Sequence, residues 1–339
     1  MTAMLENIQS QPESLRAVAQ HQFGAGAATL QSAAAAIRAA GRVVFTGMGS
    51  SLFASMPAAA HLNAHGFPAL TVEASELLHY GGAAPHADAA MVLVSRSGDT
   101  IEVTRLLDRL GPRAHGTIGV SNVASSRLAR EAPLSIEVHS GTDRMVAVQT
   151  YSGSCAVLLL LAEAVLQAPP ESSRLGLDQV IEALPRAIDT ALAQRGEWNA
   201  FLTEAEVVYL LGRGASLASV HEGALLMNET ARLPSVAMSA ALFRHGPVEV
   251  IGKRFRGIVF ASQPATRELD LTLARELTDL GGRIRVSPAE GVPPLFAPLL
   301  EIVPVQVAAC SVALDRGIDP GAFRFTSAVT ATEEGFLKP

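Results

Sequence analysis

Three hydroxyl residues, Ser95, Ser97 and Thr100, fall within six positions around Gly98, in the stretch MVLVSRSGDTIEV (Met91–Val103). Four apolar residues precede them and a helical pattern follows, so they stand where a strand hands over to a helix. Hydroxyls, backbone N–H groups and a helix N-terminus together suit a phosphate. A second loop of the same kind, GMGSS, carries Ser50 and Ser51 behind Gly47 and Gly49. Neither loop fits a nucleotide. GMGSSL lacks the Lys-Ser/Thr ending of a P-loop, and Leu52 stands where a dinucleotide GxGxxG needs its third glycine. The plainer alternative is that Ser97 or Asp99 caps the following helix.

The second half of the chain carries groups that could move protons. In EGALLMNETARL, Glu222 and Glu229 are seven apart, about two helical turns, which places both on one helix face. A glutamate on an otherwise apolar helix is costly unless paired or functional; an exposed polar-side residue is the bland alternative. In LFRHGPVEV, His245 precedes Gly-Pro, which forces a turn. A histidine is often structural, but one held in a fixed turn is also suited to shuttling a proton near neutral pH.

The elements that must position these groups alternate regularly. QPESL starts one N-terminal helix and LQSAAAAIRAA forms a second; RVVFTG reads as a strand, followed by a helix from about Ser51 to His65. FPALTVEA, MVLVS, HGTIGVSN and PLSIEVH read as further strands, with TIEVTRLLDRL and SSRLAREA as helices between them. Such alternation predicts βαβ units, a parallel sheet and ligands at the carboxyl ends of its strands. A long helix from about Val146 to Gln167 is followed by APPESSRLG, read as a linker over 169–176. EVVYLLGRG, SLASVHEGALLMNETARL and PSVAMS then repeat the rhythm, and RGIVFAS, GRIRVSP and PLLEIVPVQ supply later elements. The fold class expected is α/β, two doubly wound parallel-sheet (flavodoxin-like) domains in tandem, over 1–168 and 177–339.

Those halves match in detail. GMGSSL (Gly47–Leu52) sets against GRGASL (Gly212–Leu217) at an offset of 165. FPALTVEASELLH (Phe67–His79) sets against LPSVAMSAALFRH (Leu233–His245) at 166, pairing Pro68 with Pro234 and His79 with His245. Two ordered blocks with one single-residue indel between them point to an internal duplication.

Composition excludes several function classes. Hydrophobic residues are 49% and charged residues 17%, a dense globule and not a disordered chain. A net charge of −6 and 5% aromatics give no basic, base-stacking surface for nucleic acid and no electrostatic reason to bind an anionic membrane. Cys155 and Cys310 lie in apolar runs and read as buried thiols, not as a disulfide or a metal site. The polar, acidic start is no signal peptide, and CAVLLLLAEAVL is far short of the ~20 residues of a membrane span. The expected location is the cytoplasm.

Taken together, these pieces resemble the family built from two sugar isomerase (SIS) domains, similar to the isomerase half of glucosamine-6-phosphate synthase and to SIS-type amino-sugar phosphate deaminases. The resemblance runs from MLENIQSQPESL through GMGSS, SRSGDT, SNVASSRLAREA, GTDRMVAVQTYS and GRGASLASVHEGALLMNETARLPSVAMSAALFRHGPVEVI to the GIDPGAF–AVTATE tail. It implies that Ser50, Ser51, Ser95, Arg96, Ser97 and Thr100 bind a sugar phosphate, with Val148, Glu222 and Ser327 as further substrate-site positions. It implies that Glu229 moves a proton between C1 and C2, and that His245 opens the sugar ring, reaching in from the neighbouring subunit of a homodimer. No metal or cofactor is required for that route.

The chain departs from the family pattern at three places. Leu226 and Asn228 replace both lysines of the ALKLKE helix motif, Ser327 stands where a lysine precedes the Val-Thr pair, and Arg96 replaces a glutamine. Lys338 is close in sequence to that lysine position but out of register. A lysine that forms a Schiff base or steadies an enediolate cannot be replaced by Leu or Ser, so these changes bear on the reaction and leave the phosphate loops intact. With no Cys after Met1 and few residues ahead of the first domain, glutamine-dependent amide transfer is not expected. The expected function is a phosphosugar aldose–ketose isomerase, including an amino-sugar phosphate isomerase or deaminase. The alternatives are a non-catalytic sugar-phosphate sensor and a deglycase of phosphorylated amino-acid–sugar conjugates.

Overall fold

A computed structural model of the chain describes residues 2–81, 88–111, 116–287, 289–325, 327 and 329–334. Helices α1 (Ala3–Gln9), α2 (Gln11–Gln22) and α3 (Ala27–Ala40) precede strand β1 (Val43–Gly47). Then come α4 (Ser50–Phe53), α5 (Met56–Ala64), β2 (Ala69–Glu73), α6 (Ala74–His79), β3 (Ala90–Val94), α7 (Ile101–Leu110), β4 (Thr117–Ser121), α8 (Arg127–Glu131) and β5 (Leu134–Glu137). Helices α9 (Gln149–Val165), α10 (Pro170–Ala193) and α11 (Arg195–Leu202) lead to β6 (Val207–Gly212), α12 (Leu217–Leu226) and β7 (Ser235–Ser239). The chain ends with α13 (Ala240–Phe243), β8 (Phe255–Phe260), α14 (Arg267–Asp279), β9 (Arg283–Ser287), α15 (Pro298–Glu301) and α16 (Val303–Asp315), followed by a tail.

The strands form two separate parallel sheets, ordered β2-β1-β3-β4-β5 and β7-β6-β8-β9. The fold is therefore α/β with two doubly wound sheets. The compact units are a five-stranded one (Glu13–Thr142, Gln149–Asp178, Arg324–Pro339) and a four-stranded one (Met1–Pro12, Asp143–Val148, Gln179–Phe323). In the first, β1, β3 and β4 are buried at every position, which is why they read as mostly apolar runs and not as alternating ones. Val44, Met91 and Leu93 pack with Val103, Leu106 and Leu107 of α7 and with Leu128 of α8. All of α9 is buried except Glu163, whose carboxylate takes a 2.7 Å bond with His61 Nε2 and a 3.2 Å bond from Ser173 Oγ. The His61 bond holds that carboxyl below its ordinary range.

In the four-stranded unit, Phe243 of α13 packs on Tyr209 and Phe255, with Leu273 and Leu277 of α14 in the same cluster. The run 298–315 is long and apolar enough to cross a membrane, but 78% of it is buried inside the protein. Buried Gln11 and Gln306 bond to each other at 2.9 Å, as polar groups in a core must. Both cysteines are buried and free.

The duplication is visible in the folded chain. β2 and β7 run over equivalent positions at the offset of 166, and so do β4 and β9, which lie outside the matched sequence blocks. Two elements differ from the sequence expectation. Of the segment 169–176 read as a linker, residues 170–176 form the opening of helix α10; proline fits a first helical turn because no N–H is needed there. Beyond it, Leu177, Val180, Ile181, Leu184 and Ile188 are buried along one stripe. The helix expected from Ser51 to His65 is broken into α4 and α5, where Pro57 cannot donate to the preceding turn and Ser55 Oγ bonds back to Leu52 O at 2.6 Å.

Candidate functional site

Two loops of the five-stranded unit meet at the switch in strand order, between β1 and β3. Gly47 closes β1 because a Cβ there would lie 2.6 Å from Val94 O on the neighbouring strand. The chain then passes through Gly49, at φ 50°, into Ser50 and Ser51. Arg96 N–H donates to Ser51 Oγ at 3.3 Å, so the two serine loops are joined directly.

Within the SRSGDT loop the hydroxyls do different things. Ser95 is buried; its Oγ accepts Gly98 N–H at 3.0 Å and shares a 2.9 Å bond with Thr100 Oγ1. Gly98 has φ +71°, and any Cβ there would overlap Ser126. Ser97 Oγ accepts Asp99 N–H at 3.2 Å, and Asp99 Oδ1 accepts Arg127 N–H at 2.9 Å. Thr100 is the N-cap residue of α7 but makes no side-chain cap bond. Neither Ser97 nor Asp99 caps α7; Asp99 instead accepts the first N–H of α8, so the capping alternative holds for Asp99 at that helix. Ser95 and Thr100 brace the loop, while Ser50, Ser51, Arg96 and Ser97 are half-exposed at its rim. Ile101 N–H donates at 3.1 Å to Thr330 O of the C-terminal tail.

In the four-stranded unit, α12 ends at Leu226 and the chain continues as a single π-helical turn, Met227–Ala231, with Glu229 inside it. Such turns recur at functional sites because they re-aim one side chain. Thr230 Oγ1 bonds to Leu226 O at 2.6 Å, and Asn228 Nδ2 bonds to Ala224 O at 2.9 Å and Ser235 O at 3.0 Å. Glu229 is thus held from both sides and partly exposed, whereas Glu222 is fully buried. The expectation that the two share one face meets that wider turn, whose residues advance by a smaller angle than those of an α-helix. His245 is exposed, its N–H bonded to Leu242 O at 2.9 Å, and Gly246 follows at φ +123°.

Val148 is fully buried in that unit, its N–H donating to Asp143 Oδ2 at 2.9 Å. Ser327 is exposed in the tail of the five-stranded unit, with its Oγ bonded to Val329 O. Leu226 is a core residue at 1% exposure. Lys338 lies outside the described residues. Among the described residues, no group of three or more His, Cys, Asp or Glu side chains is arranged to hold a metal ion.

One cluster escaped the sequence reading. Glu301, at the end of α15, is fully buried and takes bonds from Ser216 Oγ at 3.1 Å and Ser219 Oγ at 2.7 Å. Ser216 belongs to the GRGASL copy of the first serine loop, which was a signal; Glu301 in the apolar run PLLEIVPVQ was the other. Burial holds the Glu301 carboxyl above its ordinary range, and the hydrogen bonds from Ser219 and Ser216 offset only part of that rise.

Comparison with known proteins gives a consistent picture. A model of the SIS domain matches residues 36–164 and 201–287. The chain is 30% identical over 337 residues to a glutamine–fructose-6-phosphate aminotransferase (isomerizing) of Pyrobaculum aerophilum, with 94% of this chain and 55% of that protein covered. It thus spans about half the length of that relative. Its fold is similar to that of a glucosamine-6-phosphate deaminase of Thermotoga maritima, with a TM-score of 0.82 and 22% identity over 97% of this chain and 99% of the other. It is also similar to the C-terminal domain of glucosamine-fructose-6-phosphate aminotransferase of Francisella tularensis, with a TM-score of 0.81 and 19% identity over 94% and 96% of the two chains.

Proposed function

Since the chain belongs to the SIS domain family, we propose that it is a phosphosugar aldose–ketose isomerase whose substrates extend to 2-amino sugar phosphates, with ammonia released from the latter. The observation that carries this reading is the joined pair of serine loops at the strand switch, bonded through Arg96 N–H and Ser51 Oγ. Ser50, Ser51 and Ser97 offer hydroxyls to the phosphoryl group and Arg96 adds a positive charge beside it. Ser95 and Thr100 keep the loop in shape.

Glu229 is assigned the proton transfer. Its carboxylate takes the proton from the carbon next to the open-chain carbonyl or imine, leaving an enediol or, from a 2-amino sugar, an enolamine, and returns that proton to the adjacent carbon. In the amino-sugar case water then adds to the resulting C2 imine, the C–N bond breaks and ammonia leaves with the C2 carbonyl formed. General-base catalysis of this kind contributes roughly 10²–10⁴-fold. His245 is assigned proton transfer to the ring oxygen during opening. Its exposed position in a fixed turn suits a group that completes the site of a second copy of the chain, hence a homodimer.

The test is NMR of fructose 6-phosphate and glucosamine 6-phosphate with the purified protein in D₂O. Interconversion or ammonia release with deuterium entering at C1 or C2 is expected, reduced roughly 10²–10⁴-fold in Glu229→Gln. An unchanged rate in that variant sinks the assignment. A second reading, a non-catalytic sugar-phosphate sensor, is favoured by one specific observation: Leu226 is part of the core where the family carries a lysine. Calorimetric binding of the same sugars with no deuterium exchange would establish it instead.

A further inference from the structure

The duplication predicts two strand-end crevices of one design, and the four-stranded unit contains the second. Gly212 ends β6 as Gly47 ends β1. At the offset of 165 that pairs Gly47 with Gly212, Ser216 stands where Ser51 does. In this copy the hydroxyls do not face an open rim. Ser216 and Ser219 are fully buried and each donates to a different oxygen of Glu301, at 3.1 Å and 2.7 Å. Ser262 Oγ accepts Ala289 N–H at 3.0 Å. Ser287 Oγ fixes the Glu301 carbonyl at 2.7 Å. Arg213, in the loop that follows β6, is engaged with buried Asp270.

We propose that this crevice is a second oxyanion site of the phosphate class whose resident ligand is the chain's own Glu301 carboxylate. A carboxylate presents two acceptor oxygens, as a phosphate presents two of its own to a pair of hydroxyl donors. A carboxylate buried at a helix start among serine hydroxyls is stabilised by the same donors that hold an external anion. The consequence is that the wild-type chain takes up phosphate through the five-stranded unit alone. Removing the carboxylate opens the crevice to inorganic phosphate.

Equilibrium dialysis with radiolabelled inorganic phosphate on the full chain counts the sites. One phosphate per wild-type chain is expected, two in Glu301→Ala, and one again in Glu301→Gln, whose amide still fills the crevice. In a Ser51→Ala, Ser97→Ala background the expected counts are zero, and one after Glu301→Ala is added. Two sites in the wild type, or no gain in Glu301→Ala, overturns the proposal. The one-site wild-type count rests on the phosphate reading of the five-stranded loops. If that reading alone is wrong, the wild type binds none while Glu301→Ala still gains one. Should Glu301→Ala fold poorly, phosphate must restore its cooperative thermal transition, since a ligand that binds only the folded state stabilises it. Failure of phosphate to do so while Glu301→Gln folds also overturns the proposal.

Discussion

At the end of β1 the chain turns through Gly47 into Ser50 and Ser51; at the end of β6 it turns through Gly212 into Ala215 and Ser216. The backbone plan is shared, down to the strand order on either side of the switch. What differs is what the hydroxyls meet. Around Ser51 and Ser97 the neighbours are backbone N–H groups and Arg96, and the rim stays half-exposed. Around Ser216 and Ser219 the neighbour is a buried carboxylate supplied by the chain itself. On the proposed reading, both serine-rich strand ends are built to hold an anion, and what each one holds is decided by a residue far away in sequence.

The sharpest way to break this comparison is to remove one equivalent hydroxyl from each copy. If the proposed phosphate reading holds, Ser51→Ala deletes a donor to a charged ligand, a bond worth about 1.5–3 kcal/mol, so phosphosugar affinity should fall roughly 10–100-fold by calorimetry. Ser216→Ala touches only the cluster around Glu301 and should leave that affinity within twofold. Equal losses in both variants would mean that the two loops are not functionally distinct.

A smaller effect is expected from the glycines that close the two strands. A Cβ on Gly47 would sit 2.6 Å from Val94 O, a backbone atom fixed by the sheet; a Cβ on Gly212 would sit 3.0 Å from a Val220 methyl, which can rotate away. Gly47→Ala should therefore cost about 1–3 kcal/mol in urea unfolding, and Gly212→Ala clearly less. The reverse order would show that β6 and not β1 is the tighter strand.

Much of this was legible in the sequence, for a physical reason. Fully buried parallel strands are mostly apolar and do not alternate, so VVFTG, AMVLV and TIGVS declare themselves, and the offset between GMGSSL and GRGASL exposes the duplication. The linker at 169–176 misled because Pro, Glu and Ser are as much at home in the first turn of a helix as in a loop. The π turn around Glu229 carries no compositional mark; it depends on how α12 meets β7 through Asn228 and Ser235. Glu301 was passed over because its partners lie 82 and 85 positions upstream, and only the fold brings them together.

The smallest expected effect tests the histidines that the duplication pairs. His245 is exposed in its Gly-Pro turn, but its counterpart His79 is bonded at 3.1 Å to Glu333 of the C-terminal tail, and Arg105 holds the same carboxylate. The His79 bond, followed by Arg105, holds the Glu333 carboxyl below its ordinary range. A depressed carboxyl stabilises the docked tail above the pKa of the undocked group, and that contribution is lost as pH falls through the depressed value. Glu333 is solvent-screened, so the effect is modest. The protection of the Ile101 amide against hydrogen exchange, taken relative to the intrinsic rate at each pH, should therefore fall as the pH drops below the ordinary glutamate range, since its N–H is bonded to Thr330 O in the docked tail. In Glu333→Gln that protection should be lower already at neutral pH and lose its acid dependence. Protection that ignores both pH and the substitution would show that the tail is held by its backbone bond, and that His79 has not taken a role distinct from that of its exposed counterpart.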